Sequence, residues 1–319
     1  MDLVLLINSL IVLICIILCI AFFTLLERKV MSSVQRRRGP NIVGVFGLLQ
    51  AFADALKLLG KELLYTSNAN IFIFLLSPVF SFLITLTLWL LIPFDYGYTI
   101  MELPFSILFI LAISSLGVHA IIFSGWASNS KYSFLGSIRS ASQMISYEIC
   151  LSTIYIGIIL MSGSFSLIGI VEIQESIWFI IPLFPYWILF VITSLAETNR
   201  SPFDLPEAEA ELVAGYNVEY SSIAFALFFL AEYGNIILMS TLSSLFFFGG
   251  WESIHFINLA NYMAFSFKIT VNMFVFLIVR AAVPRYRYDQ LMAIGWKSLI
   301  PLSFFFLIIQ SAAIYSLFY

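Results

Sequence analysis

Long uninterrupted runs of apolar residues dominate this sequence and restrict what it can fold into. Eight of these runs are long enough to cross the hydrocarbon core of a bilayer, which is about 30 Å thick. Only 10% of the 319 residues are charged, so no single water-soluble core could bury all of the apolar stretches. The sequence therefore predicts an all-α integral membrane protein with a single domain. Its crossings are expected near 3–26, 70–92, 103–124, 141–162, 177–195, 221–248, 259–283 and 298–318.

The basic residues are confined almost entirely to the odd-numbered connections between these crossings. Fourteen of the 15 Lys and Arg residues lie there, whereas the even-numbered connections, near 93–102, 163–176 and 249–258, contain none. By the positive-inside rule, the odd connections face the cytoplasm or the mitochondrial matrix. We therefore expect a multi-pass protein with both termini in the other compartment.

The charge sum and the cysteines exclude several kinds of site. A formal net charge of −3 argues against a nucleic-acid partner, for which a basic face would be expected. Cys15, Cys19 and Cys150 lie inside apolar stretches, so neither a disulfide framework nor a thiolate metal site is indicated. His119 and His255 are isolated, and no nucleotide-binding fingerprint occurs. We therefore predict that this chain has no redox centre of its own.

Residues 42–63, in the first connection, show a two-faced helical pattern. Leu48, Phe52 and Leu59 fall on an apolar stripe, and Asp54 and Lys61 fall on a polar one. The pattern predicts an amphipathic helix that lies along the membrane interface. Such a helix either anchors the chain in the lipid surface or forms a wall of a functional site, and the pattern leaves both interpretations open.

Several ionisable side chains fall at membrane depth, where each costs about 2.5–3.5 kcal/mol at the centre of a helix. Glu148 lies in the fourth crossing, Glu219 and Glu232 in or at the start of the sixth, and Lys268 in the seventh. Such groups either pair with one another to fix helix packing or handle protons. We favour a packing role for Lys268. For Glu148 and Glu232 we favour proton handling, because an acid in a low-dielectric site can change its protonation near neutral pH.

The connection between the fifth and sixth crossings is acidic although it lies on the basic side. Its acids are Glu197, Asp204, Glu207, Glu209 and Glu211, and Arg200 is its one cation. A helix would place Asp204, Glu207 and Glu211 on one face, whereas an extended stretch would align Glu207 with Glu209 and Glu211. Either water solvates these acids or they share protons through coupled titration. Their position before Glu219 and Glu232 favours a polar path that leads into the membrane.

The basic connections also allow two interpretations. The run Arg36, Arg37 and Arg38 and the cluster Arg280, Arg285 and Arg287 either bind anionic lipid head groups or dock the carboxylates of a partner protein.

Five sequence blocks, taken together, resemble a known family and extend from the first crossing to the last. They are Leu26-Glu27-Arg28-Lys29 with Arg38-Gly39-Pro40-Asn41, Gly47 to Ala55, Gly125 to Tyr132, Glu197-Thr198-Asn199-Arg200 through Glu219-Tyr220, and Pro284 to Leu291. The chain is similar to the family of NADH:ubiquinone oxidoreductase chain 1 and its bacterial counterpart, a membrane component of respiratory complex I. All five blocks lie on the basic side of the predicted topology.

The resemblance implies a subunit of a proton-translocating NADH:ubiquinone reductase. The chain would then be a multi-pass protein of the mitochondrial inner membrane with its basic connections facing the matrix, or of the plasma membrane if the source is bacterial. This subunit would form the quinone-access tunnel and an acidic path that couples quinone reduction to proton translocation. Ubiquinone would be the substrate, and the iron–sulfur clusters and FMN would belong to partner subunits. Its partners would be the quinone-site and terminal iron–sulfur subunits of the peripheral arm, the small membrane subunits that lead to the pumping modules, and membrane lipids.

By motif position, the resemblance assigns two sets of residues. The tunnel residues would be Arg28, Arg37, Asp54, Phe228, Tyr233 and Arg280. The proton-path residues would be Glu148, Glu197, Asp204, Glu207, Glu209, Glu211, Glu219 and Glu232.

Two other classes of protein would also carry acids at membrane depth. The related membrane subunit of energy-converting hydrogenases has similar helices but needs no full quinone tunnel. A stand-alone secondary transporter would show paired inverted repeats and broken helices, and no such symmetry is visible in this sequence.

Overall fold

A computed structural model describes residues 2–66, 68–96, 98–204, 215–253 and 260–318. Within these ranges the chain forms helices and no strands. The helices are α1 (Asp2–Val34), α2 (Gln50–Gly60), α3 (Ile71–Trp89), α4 (Ser106–Ala127), α5 (Lys131–Ser162), α6 (Leu167–Ile173), α7 (Phe184–Glu197), α8 (Ser222–Phe247), α9 (Asn261–Ala282), α10 (Tyr288–Ala293) and α11 (Ile300–Phe318). A π-helical turn, Ile294–Leu299, joins α10 to α11 without a break.

Seven helical segments of the described ranges are long and apolar enough to cross a membrane. They are α1, α3, α4, α5, α8, α9 and the continuous stretch from α10 into α11. The crossing predicted near 177–195 differs from the others, because the structure has turns up to Leu183 and a helix of only 14 residues after it. Pro182 lacks a backbone N–H, and Pro185 lies in the first turn of α7, where proline is favoured. The predicted count of eight is therefore not confirmed.

Helix α5 begins at Lys131, ten residues before the predicted crossing at 141–162. Ser130 caps its first turn by accepting a hydrogen bond from the backbone N–H of Ser133 at 3.3 Å. The first three turns mix polar with apolar residues, and polar side chains such as Ser137 and Gln143 are buried against other helices rather than solvated. Hydropathy alone therefore underestimates the length of this helix. It ends at Gly163, which adopts the left-handed conformation typical of a helix stop.

The amphipathic helix is shorter than the predicted 42–63 stretch. Gly44 and Gly47 both have positive φ, at 75° and 76°; Gly44 precedes a single turn of 3-10 helix, Val45–Gly47, and Gly47 ends it. A side chain at Gly47 would clash with the backbone of Pro40, since a Cβ there would lie 2.3 Å from the Pro40 oxygen. The chain therefore turns sharply at this point, and only Gln50–Gly60 forms the α-helix.

Two long helices organise the packing. Helix α5 packs against α4, α7 and α11, and helix α8 packs against α3, α9 and α1. Large aromatic side chains such as Tyr155, Phe190 and Phe246 fill the space between them. The outward faces of α1 and α11 expose isoleucine and phenylalanine side chains, as expected for surfaces that contact lipid.

Lys268 stabilises the end of α8 that is remote from the basic connections. Its Nζ donates hydrogen bonds to the carbonyl oxygens of Phe248, Gly250 and Glu252, at 2.7, 3.0 and 2.6 Å. The same atom lies 4.6 Å from the ring centroid of Trp178. A cation is favoured where a helix ends, because the free carbonyls carry negative partial charge. The predicted packing role fits this geometry, although the acceptors of these hydrogen bonds are backbone carbonyls and not the predicted acids.

Candidate functional site

Three charged side chains from distant parts of the sequence meet near the basic end of α1. The Glu27 carboxylate of α1 forms an ion pair with the Nη1 atom of Arg280, in the last turn of α9. The Nη1 atom of Arg200, just after α7, lies 3.6 Å from the same Glu27 oxygen. Only 8% of the Glu27 side chain and 6% of the Arg200 side chain are exposed. We call Glu27, Arg200 and Arg280 the inner charge cluster; it contains one carboxylate and two guanidinium groups.

Aromatic and apolar side chains enclose the inner charge cluster. The guanidinium carbon of Arg200 lies 4.4 Å from the ring centroid of Tyr233, a distance typical of a cation–π contact. Tyr233 in turn packs edge-on against Phe23 of α1, with centroids 5.8 Å apart. A small cavity of about 10 Å³ lies beside the cluster, between α1 and α9. Two predicted tunnel residues, Tyr233 and Arg280, are thus brought together.

A second charged group lies at the protein surface, one residue further along α1. Arg28 Nη1 lies 2.7 Å from Asp54 Oδ2 of α2 in an ion pair. Gln50 donates a hydrogen bond to the other Asp54 oxygen at 2.9 Å. This pair is much more exposed than the inner cluster, with 55% of the Arg28 side chain accessible. The amphipathic helix α2 is therefore attached to α1 through the two predicted tunnel residues Arg28 and Asp54.

The remaining predicted tunnel residues lie elsewhere. Arg37 is exposed in the turn that follows α1. Phe228 is buried, and its ring packs edge-on against those of Tyr216 and Tyr220, at 5.4 and 5.0 Å between centroids. Burial raises the pKa of Tyr220 to about 12, against a smaller opposing effect of its hydrogen bond with Ser77. Phe228 and Tyr233 are five residues apart on α8, so they point from different faces of the helix.

Two of the predicted proton-path acids share one cavity. Glu148 of α5 and Glu197, the last residue of α7, both line a cavity of about 40 Å³ between α3, α4, α5 and α8. Ser114 Oγ donates to Glu148 Oε1 at 3.4 Å, and Asn235 of α8 also lines the cavity. The space can hold water beside both carboxyl groups.

The other described acids have separate partners. The Asp204 side chain is almost fully buried, with Oδ2 3.1 Å from Arg285 Nη2. Glu232 accepts a hydrogen bond from the Tyr216 hydroxyl at 2.6 Å, and Glu219 is half-buried just before α8. The predicted residues Glu207, Glu209 and Glu211 lie outside the described residues.

Sequence reasoning misses Glu27 as a site residue. The predicted first crossing ends at 26 and leaves Glu27 in a solvated basic connection, whereas α1 continues to Val34. The sequence does offer one indication of its role: Glu27 is a lone acid next to the cations Arg28, Lys29 and Arg36, as expected for a carboxylate that pairs with a nearby cation. The sequence marks Arg285 only as a member of a basic cluster, and it gives no comparable signal for Tyr216 or Asn235.

Sequence comparison finds relatives over nearly the whole chain. Residues 7–311 match the family described as NADH dehydrogenase. The chain is 55% identical to the NADH-ubiquinone oxidoreductase chain 1 of Chondrus crispus, over 94% of this chain and 93% of that protein. It is 56% identical to the protein of the same name from Arabidopsis thaliana, over 90% of each chain. It is also 50% identical to the NADH-quinone oxidoreductase H subunit of Paramagnetospirillum magneticum, over 93% of this chain and 88% of that protein.

Proposed function

Because this chain belongs to the NADH dehydrogenase family that comprises NADH-ubiquinone oxidoreductase chain 1 and its bacterial counterparts, we propose that it forms the membrane part of the quinone tunnel and an acidic path for proton translocation. The chain acts as a membrane subunit of this enzyme complex, respiratory complex I, and its partners are other subunits of the complex. Its apolar helices fit a multi-pass protein of the inner membrane. Quinone is the substrate of the complex, as the names of the relatives state.

The observation that carries the tunnel proposal is the pair of charged layers at the basic end of α1. Neighbouring residues of α1 contribute to both layers, Arg28 to the exposed pair with Asp54 and Glu27 to the inner charge cluster. Apolar and aromatic side chains, including Phe23 and Tyr233, lie between these layers and the membrane interior. A quinone with a polar head group and an apolar isoprenoid tail matches such a surface, since each part meets groups of its own polarity.

The proton-path proposal rests on the cavity shared by Glu148 and Glu197. Reduction of a quinone to a quinol takes two electrons and two protons, and the electrons come from the partner subunits. The quinone and the quinol are both neutral, so the charge near Arg200 and Arg280 changes between the arrival of the electrons and the uptake of the protons. Acids that share one small cavity titrate as a coupled pair, so a change in nearby charge redistributes protons between them. The sequence places Glu197 only three residues before Arg200, which supports a direct link between the two sites.

The alternative classes fit less well. A hydrogenase membrane subunit and a stand-alone transporter would both tolerate acids at membrane depth. The three relatives described above are named as quinone oxidoreductase components instead, at 50–56% identity.

Replacing Glu148 or Glu197 with Gln tests the proton-path proposal in the assembled complex. Each variant keeps the size and hydrogen-bonding capacity of the side chain but cannot bind and release a proton. We expect the complex to assemble, while quinone reduction and proton translocation both fall several-fold or more. Glu62→Gln, which changes an exposed acid of the first connection, is the matched control and should retain full activity. Normal proton translocation in both Glu148→Gln and Glu197→Gln would remove the acids from the path.

A further inference from the structure

The interfacial helix α2, which carries Asp54, is held in place by a few contacts rather than by a core. None of the residues Gln50–Gly60 is buried against the rest of the described chain. A helix of 11 residues is marginal without packing, so its individual contacts decide where it lies. One of them, the Arg28–Asp54 ion pair, attaches the first half of α2 to α1. A second attachment lies at the last turn of α2.

Ser222, the first residue of α8, makes this second attachment. Its hydroxyl donates to the carbonyl oxygens of Leu58 and Lys61, at 3.0 and 2.6 Å, and shares its single proton between them. Leu58 lies in the last turn of α2, where carbonyl groups have no partner within the helix. Only 2% of Ser222 is exposed, so water has little access to this contact. Next to it, the Ser221 hydroxyl accepts a hydrogen bond from the backbone N–H of Leu64 at 3.1 Å.

The backbone of Ser222 is strained. Its φ is 57°, in the left-handed region that residues other than glycine rarely adopt. Such a conformation persists only where the surrounding contacts require it. In this conformation the chain enters α8 while the Ser222 hydroxyl reaches the end of α2. We therefore attribute the strain to the junction between the two helices.

This junction connects two predicted tunnel residues. Asp54 lies one turn before Leu58 on α2. Helix α8 carries Tyr233, whose ring contacts Arg200 of the inner charge cluster. The placement of Asp54 relative to Tyr233 therefore depends on how α2 is joined to the start of α8.

We propose that Ser222 is a positioning residue for quinone binding. It holds the last turn of α2 at the start of α8 and thereby fixes Asp54 in the wall of the proposed tunnel. The proposal rests on the proposed function, because it takes α2 to be part of that wall. Ser222 acts through α2 and transfers neither electrons nor protons. Its loss therefore weakens the binding of quinone more than it slows the reduction of bound quinone.

Ser222→Ala in the assembled complex tests the proposal, because it removes only the hydroxyl. Amide hydrogen exchange of residues 50–60, measured by mass spectrometry, should become about fivefold faster, which corresponds to about 1 kcal/mol for one hydrogen bond. The KM for ubiquinone should rise by about the same factor, while kcat changes by less than about twofold. Ser244→Ala is the matched control and should behave as wild type. Ser244 is also buried on α8, but its hydroxyl donates within the helix, to the carbonyl of Thr241 at 2.6 Å.

Ser222→Gly separates the hydroxyl from the backbone conformation. It also lacks the hydroxyl, but glycine adopts a φ of 57° without strain. We expect the same faster exchange and higher KM as in Ser222→Ala. If Ser222→Ala does not assemble, Ser222→Gly provides the same test without the strain. Wild-type exchange and KM in Ser222→Gly would overturn the role of the hydroxyl.

Asp54→Asn distinguishes a failure of this proposal from a failure of the proposed function. A loss of quinone turnover in Asp54→Asn, together with wild-type exchange or wild-type KM in Ser222→Ala, would overturn the role of Ser222 alone. Faster exchange in Ser222→Ala, together with wild-type quinone kinetics in both variants, would remove α2 from the tunnel wall and would overturn both proposals for this helix. A fall in kcat of Ser222→Ala without a rise in KM would also overturn the positioning role.

Discussion

Glu27→Gln provides the sharpest test of the inner charge cluster. The substitution preserves the shape of the side chain but removes the carboxylate that lies between Arg200 and Arg280. At the observed separation of 3.6 Å, the Arg200–Glu27 attraction is about 4–5 kcal/mol for an effective dielectric constant of about 20. This agrees with the loss of about 3–5 kcal/mol that follows when one partner of a buried ion pair is removed. The two guanidinium groups would then face each other in a largely dry site without the Glu27 charge between them.

A loss of this size should be visible in the assembled complex. Because about 1.4 kcal/mol is a factor of ten, a loss of about 3–5 kcal/mol would shift the local folding equilibrium by about 10²-fold to 4 × 10³-fold. We expect much less assembled complex on native gels, and faster thermal loss of quinone-reductase activity in what remains. Glu27→Asp retains the charge and should be milder. Adding Arg280→Gln to Glu27→Gln should recover part of the loss, since it removes one of the two cations that would otherwise repel each other.

Two outcomes would refute this reasoning. Wild-type assembly and thermal stability in Glu27→Gln would mean that the cluster is solvated and contributes little. An effect of Arg280→Gln that simply adds to that of Glu27→Gln would mean that the two side chains are not coupled.

Three other substitutions have expected outcomes set by the structure. Asp54→Asn breaks an exposed ion pair, so the free energy of unfolding should change by about 1 kcal/mol or less. Quinone turnover should fall, because the proposal places Asp54 in the tunnel wall; loss of assembly without a specific loss of turnover would indicate a purely structural role. Lys268→Met leaves three carbonyl oxygens without their donor and should lower the free energy of unfolding by at least about 2 kcal/mol. Lys297→Met, at an exposed position, is the control and should leave the free energy of unfolding nearly unchanged. Burial, and secondarily the negative charge of Glu175, raises the pKa of Glu252 from 4.5 to about 7 despite the opposing effect of Lys268. The folded protein thus binds this proton more tightly than the unfolded chain, and its stability falls as the pH rises from about 4.5 to 7. Glu252→Gln should therefore melt at a higher temperature than wild type at pH 8 and at a similar temperature near pH 4; the reverse order at pH 8 would contradict this.

The fold is predictable where one physical quantity decides it. Apolar runs locate most of the spanning helices, because the cost of leaving polar groups in lipid applies to every stretch alike. The predicted helix bounds are wrong where a second effect outweighs the apolar character of the segment. Buried serines and Gln143 extend α5 beyond its apolar part, proline shortens α7, and the geometry at Gly47 prevents the first connection from being one long helix.

The site is predictable only in part, for a different reason. Asp54 is expected on the polar stripe of an interfacial helix, and the structure pairs it with Arg28. Glu27 is not expected, because its partners Arg200 and Arg280 are distant in sequence and no spacing rule connects them. Which buried charges meet is decided by helix packing, and the periodicity of one segment carries no information about that packing.

The short segment from Glu197 to Asp204 physically connects the two halves of the proposed function. Glu197 lines the acid cavity, Arg200 belongs to the inner charge cluster, and Asp204 is held by Arg285. The cavity contains two carboxyl groups, whereas the cluster contains two guanidinium groups and one carboxylate. Acidic groups are therefore in excess at Glu197, and positive charge is in excess three residues later, at Arg200. Gln143 donates hydrogen bonds to the carbonyls of Ala196 and Phe203, on either side of Arg200, and so holds the backbone of this segment in place between the two sites. On the proposed function, a change of charge at the cluster acts on the acid cavity through space or through this segment, and Arg200→Lys, which keeps the charge but loses the planar contact with Tyr233, would separate the two routes.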